Sequence, residues 1–132
     1  MRRAVLDPGV LVSALVSPKG APARLLEQAR KGELELIVSP LLLAELEGVL
    51  EREKFRRHVA LDAARAFVDL LRRDATVAAD PEGTPPLSSA DPDDDYLIAL
   101  AHHERAQLVS GDAHLLDLAD MAPICSPAEF AA

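Results

Sequence analysis

Three short apolar runs, each closed by a turn and set apart by stretches of helical periodicity, most constrain what this chain can fold into. Residues 4–6 lead into Asp7-Pro8-Gly9, residues 34–38 into Ser39-Pro40, and residues 107–110 into Gly111-Asp112. Apolar runs this short, bounded by turn signals, read as buried strands. Residues 10–16 read as a short helix broken by Ser17-Pro18-Lys19-Gly20. Residues 21–31 carry Leu25, Leu26 and Ala29 at helical spacing before Gly32 stops them.

The same alternation continues downstream. Ser39 is placed to cap a helix whose first residue is Pro40. That helix runs to about residue 51 with Leu42, Leu46, Val49 and Leu50 as its buried stripe. A second helix covers 61–73, using Ala64, Phe67, Val68 and Leu71, and residues 75–79 are placed as a third, edge strand. Residues 80–90 hold three prolines, one glycine and two serines and read as a loop. A helix is expected over 93–105, a short one over 112–118, a last short strand over 123–125 and a terminal turn over 127–130. Strands alternating with helices predict an α/β fold, a three-layer α/β/α sandwich around a mostly parallel sheet of about five strands. The loop at 80–90 does not divide the chain, because neither side is complete alone, so one domain is expected over 1–132.

Composition narrows the partners. Apolar residues make up 49% of the chain but aromatics only 3%, so leucine, valine and alanine must fill the core. Fourteen basic against 22 acidic residues give a formal charge of −8, which argues against tight, non-specific duplex binding through many phosphates. An acidic site that binds a divalent cation is compatible with that charge, since the ion reverses the local sign. A single cysteine, Cys125, allows no intrachain disulfide. Asp7 cuts the first apolar run too short for a signal peptide, and no apolar window is long enough to span a membrane. A cytoplasmic protein is the expectation.

Four acids follow or face strand ends, where sites form in open parallel sheets. Asp7 directly follows the first strand, where it either serves a site or caps the next helix. Glu45 lies three residues after Leu42 and four before Val49, at the border of an apolar stripe, where a snorkelling acid is the structural alternative. In the run Asp91-Pro92-Asp93-Asp94-Asp95, Asp91 is placed as an N-cap. Asp94 leads the stripe Leu97, Ile98, Ala101 and should face the sheet, with Asp95 turned about a hundred degrees away. Asp112 follows the strand at 107–110 through one glycine, and could equally be a cap. Ser110 in the same turn offers a hydroxyl to bound water or phosphate. Asp91 and Asp95 are secondary candidates. Oxygen donors alone suit Mg2+ or Mn2+, and such ions neutralise phosphodiester oxygens as they gain charge.

The ordered set of motifs resembles the PIN-domain family, as found in the toxin half of bacterial and archaeal toxin–antitoxin pairs. The matching pieces are Val5-Leu6-Asp7 with residues 10–15, Ser39 through Leu42 to Glu45, residues 91–101, Ser110-Gly111-Asp112 leading to Leu115-Leu116, and Pro127-Ala128-Glu129-Phe130. The resemblance implies a Mg2+- or Mn2+-dependent endoribonuclease. Asp7, Glu45, Asp94 and Asp112 would be its catalytic and metal-binding acids. An RNA substrate, an antitoxin that neutralises the protein and a homodimer are implied with it. The family commonly carries a threonine and an asparagine after the first acid. Here Pro8-Gly9 stand there, and the chain has no asparagine. That departure supports the alternative of a catalytically impaired domain that binds protein or RNA.

In-line hydrolysis by water predicts 5′-phosphate and 3′-hydroxyl products, with Asp94 or Asp112 orienting the water. Phosphate contacts would fall to a small set drawn from Arg24, Lys31, Arg52, Lys54, Arg56 and Arg57. His58, His102, His103 and His114 lack zinc-site spacing. Cys125 is expected in the core. A receiver-like domain lacks its acid pair and late lysine here, and a haloacid-type phosphatase would need an acid where Gly9 stands.

Overall fold

The computed structural model describes residues 1–83 and 87–132. Part of the loop expected at 80–90 therefore lies outside the described residues. Five strands form one sheet: β1 (Arg2–Leu6), β2 (Leu34–Val38), β3 (Thr76–Val77), β4 (Gln107–Val109) and β5 (Ile124–Cys125). Their order is β3-β2-β1-β4-β5 and every adjacent pair is parallel. Ala4 pairs with Leu36 on one side and with Gln107 on the other.

The crossovers leading from β1 outward to β3 carry α1 (Pro8–Val16), α2 (Ala21–Arg30), α3 (Pro40–Leu50) and α4 (Leu61–Asp74). Those leading back to β4 and on to β5 carry α5 (Asp95–Glu104) and α6 (Ala113–Leu116). Right-handed crossovers running in opposite directions place these two groups on opposite faces of the sheet. The chain closes with α7 (Pro127–Ala131), begun by a capping box between Ser126 and Glu129. The terminal turn expected over 127–130 is thus a short helix.

Burial follows from residue type. Val5, Leu6, Ile37, Val38, Leu108 and Val109 of the three central strands are all at most 1% exposed, as strands covered on both faces require. Leu42, Leu46 and Leu50 of α3 and Leu97 and Leu100 of α5 are buried in the same apolar core as these strands. Each contributes on the order of 2 kcal/mol by leaving water. Cys125 is half-buried against this core.

The strand order reverses beside β1. Strands β2 and β3 lie to one side of it and β4 and β5 to the other. The carboxyl ends of β1 and β4 therefore flank the switch point, where sheets of this kind leave a crevice. Asp7 follows β1 directly, and Ser110 and Asp112 follow β4.

Candidate active site

The crevice at the carboxyl edge is a cleft of about 580 Å3 lined by Asp7, Glu45, Asp91, Asp94 and Asp112, with Arg52 at its wall. Each acid arrives by a simple local rule. Asp7 ends β1 and caps α1, accepting the Val10 amide at 2.8 Å, with Pro8 as the first helical residue. Asp112 caps α6 by accepting the His114 amide at 2.8 Å. Asp91 caps a one-turn 3-10 helix (Pro92–Asp94) by accepting the Asp93 amide at 3.1 Å. Glu45 projects from the second turn of α3, which Ser39 caps at the Leu42 amide. Capping and lining the cleft are not alternatives here; Asp7, Asp91 and Asp112 do both.

Asp7 is 7% exposed, and burial raises its pKa above the usual carboxylate value. The Ser110 hydroxyl, wholly buried, donates to Asp7 Oδ2 and partly offsets that shift. Ser110 Oγ in turn accepts the Asp112 amide at 3.0 Å, so one hydroxyl joins the two strand-end acids. Ser110 thus spends its hydroxyl on the protein's own carboxylate rather than offering it outward. Gly9 has a local reason: a Cβ there would stand 3.2 Å from Asp7 Oδ1. The amides and Ser110 hold Asp7 where the side chains of Pro8 and Gly9 cannot.

Asp94 has its pKa raised to about 6, first by burial and then by the charges of Asp91, Asp112, Glu45 and Asp7. Every acid lining the cleft therefore acts on this one carboxyl group. No salt bridge within 4.0 Å reaches any of the five among the described residues.

Asp95 departs from its expected place. It is 8% exposed and accepts the Ser89 amide at 2.8 Å, tying down the preceding loop instead of lining the cleft. The continuous helix expected from 93 begins with the 3-10 turn and becomes α5 only at Asp95. A 3-10 turn advances faster than an α-helix, so the phase counted back from Leu97 and Ile98 does not carry through it. Asp94 still reaches the cleft, from that turn. Among the basic candidates Arg52 lines the cleft, whereas Arg56 turns inward, its guanidinium nitrogens buried without a hydrogen-bond partner among the described residues.

Two residues escaped the sequence reading. Tyr96 donates its hydroxyl to Glu45 Oε2 across a separation of 51 residues. Burial and the Glu45 carboxylate push the phenol pKa far up, so it stays a donor. Asp80, just beyond β3, accepts the Leu41 amide at 2.9 Å at the start of α3, and its Oδ1 is buried without a partner among the described residues. Asp80 follows a strand end as Asp7 does, which was the available signal. The Tyr96 bond had none, because it depends on how α3 meets α5.

The donor set is oxygen-only and anionic, and its charges raise the pKa of Asp94, as suits a hard divalent cation. Among the described residues, no three carboxylate, imidazole or thiol side chains already close on a single point as a metal cluster. The acids share one cleft without forming a finished coordination shell.

Fold and cleft together define an α/β protein with an acidic crevice at its topological switch point. A family model described as PIN domain matches residues 3–114, and the chain belongs to that family, whose members are in general nucleases. The chain is 25% identical over 118 residues to the uncharacterized protein MJ1680 of Methanocaldococcus jannaschii, covering 89% of this chain and 76% of that protein. It is similar in fold to a chain in the crystal structure of VapBC2 from Rickettsia felis bound to a DNA fragment from their promoter. That likeness has a TM-score of 0.63 at 14% identity and covers 94% of this chain and 98% of the other. No described helix is long and apolar enough to cross a membrane.

Proposed function

We propose that this protein is a divalent-cation-dependent endoribonuclease whose activity is restrained by a cognate antitoxin. The observation that carries the reading is the shared charge of the cleft: Asp7, Glu45, Asp91 and Asp112 all raise the pKa of Asp94, and none of the five is in a salt bridge among the described residues. Asp7, Glu45, Asp94 and Asp112 are the residues assigned to hold Mg2+ or Mn2+. Bound there, the ion supplies positive charge and Lewis acidity to a phosphodiester.

The chain's own groups supply the rest. Ser110 and the Val10 amide fix Asp7 at the β1 end. Asp94, which faces the other acids of the cleft, is the group assigned to orient an attacking water and take its proton. The water oxygen forms its bond to phosphorus as the bond to the 3′ oxygen breaks, leaving a 5′-phosphate and a 3′-hydroxyl. Arg52 is the cation placed to meet a strand phosphate at the cleft wall.

Two observations support an antitoxin partner. The neighbour of similar fold was solved as part of a VapBC2 complex. Away from the acidic cleft, a largely apolar cavity of about 540 Å3 opens among α1, α2, β2 and α4, lined in part by Leu26, Leu36, Phe67 and Leu70. An amphipathic helix of a partner is the chemistry that fits it. A homodimer and a cytoplasmic setting belong to the same reading.

One observation favours the second reading, a domain that binds without cleaving: the acids are not gathered into a ready metal cluster among the described residues, and Pro8-Gly9 bring no polar side chain. The test is incubation with a single-stranded RNA and the DNA of the same sequence, with Mn2+ or with chelator, followed by mapping of product ends. Mn2+-dependent RNA products with 5′-phosphates, absent for Asp94→Asn, support the nuclease. Intact RNA alongside saturable RNA binding supports the second reading.

A further inference from the structure

We propose that Tyr96 is a positioning residue of the cation site: its hydroxyl fixes the Glu45 carboxylate and so sets the spacing between the α3 and α5 walls of the cleft. The inference rests on the cation-site reading above.

Glu45 stands on α3, and Asp94 immediately precedes α5. A glutamate in the second turn of a helix has several rotatable bonds and a free choice between the cleft and open water. Tyr96 removes that choice. It lies two residues after Asp94, is half-buried, and donates to Glu45 Oε2. Among the described residues this is the only hydrogen bond joining α3 to α5.

The bond engages one carboxylate oxygen and leaves Glu45 Oε1 without a hydrogen bond among the described residues. A carboxylate held by one oxygen and open at the other is how an outer partner orients a metal ligand. The nearby Asp80 acts elsewhere on the same helix: its Oδ2 accepts the Leu41 amide at the start of α3. Asp80 thus anchors the first turn of α3 through the Leu41 amide, and Tyr96 holds Glu45 in its second.

Tyr96 is the chain's only tyrosine and there is no tryptophan, so its emission reports this one bond in the unmodified protein. A carboxylate acceptor quenches tyrosine emission, and drawing Glu45 toward a cation changes that quenching. The experiment titrates diamagnetic Mg2+ into the protein while following tyrosine emission, alongside calorimetry. It then repeats the calorimetry on Tyr96→Phe, Glu45→Ala and the double variant.

The expected result is a saturable change in emission with the calorimetric midpoint. Tyr96→Phe should bind Mg2+ about tenfold more weakly. In the Glu45→Ala background the same change should alter affinity less than about twofold, since the partner through which it acts is gone. Mg2+ binding with no change in emission overturns the role of Tyr96, and so does equal weakening by Tyr96→Phe in both backgrounds. The emission arm holds even if Tyr96→Phe fails to fold. If the parent binds neither Mg2+ nor Mn2+, the cation-site reading itself fails and this role falls with it, an outcome distinct from binding that ignores Tyr96.

Discussion

The two ends of the central sheet treat charge in opposite ways. At the amino end, Arg3 enters β1 between Glu35 at 3.2 Å and Glu104 at 3.4 Å. Arg2 donates to the Phe130 carbonyl at 2.7 Å and stacks over the Phe130 ring at 4.1 Å. Every charge that β1 brings there has a partner. At the carboxyl end, five acids line one cleft, and no salt bridge reaches any of them among the described residues. A fold selected only for stability would pair or dilute those acids, since clustered like charges that raise the pKa of Asp94 oppose the folded state. The difference sets the carboxyl edge apart as the end we propose to take a cation, and the amino end as the one that clamps the chain.

The largest expected effect breaks the acidic end. Asp94→Asn should lower RNA cleavage on the order of 100-fold or more while circular dichroism stays unchanged. Next comes the support beneath Asp7. Ser110→Ala removes the buried hydroxyl that serves both Asp7 and Asp112, and should cost about 1–3 kcal/mol in urea unfolding.

The third effect concerns pH. Asp94 has a folded-state pKa of about 6, above the ordinary aspartate value of about 4. Between those values the native state holds more protons than the unfolded chain. The contribution of Asp94 to the stability of the cation-free protein, read against Asp94→Asn, should therefore fall as pH rises from about 4 to about 6 and then level off. Cation affinity should move the other way, weakening up to about tenfold per unit as pH drops below about 6, because protons and metal compete for one carboxylate. Calorimetric titrations and melting curves at several pH values check both slopes.

The smallest effects sharpen the contrast by sign. Arg3→Ala should lower the melting temperature by a few degrees and leave Mn2+ binding unchanged. Asp94→Asn should raise the cation-free melting temperature at pH 7, where it relieves repulsion, and leave it unaltered at pH 4, where Asp94 is already protonated.

The acidic end of this contrast is legible in the sequence, because strand ends and helix starts are local events. Asp7, Asp91 and Asp112 each follow from an apolar run or a Pro-led cap a few residues away. Glu45 is only placed at the border of a stripe by Leu42 and Val49, which leaves a snorkelling acid open until the family resemblance is added. Asp95 is not legible, because the 3-10 turn at 92–94 resets the helical phase and a returning loop covers it at Ser89. Arg56 reads as a surface cation and turns inward. The bonds that organise the cleft are the least legible. Ser110 to Asp7 spans 103 residues and Tyr96 to Glu45 spans 51, and both exist only once β4 lies beside β1 and α5 meets α3.

The most direct test of the account is a calorimetric titration of Mn2+ into the protein beside an Asp7→Asn, Asp94→Asn double variant of verified fold. The account predicts saturable binding by the parent, lost in the variant, with a rise in the parent's melting temperature that the variant does not share. Equal binding by both proteins, or none by the parent, would contradict it.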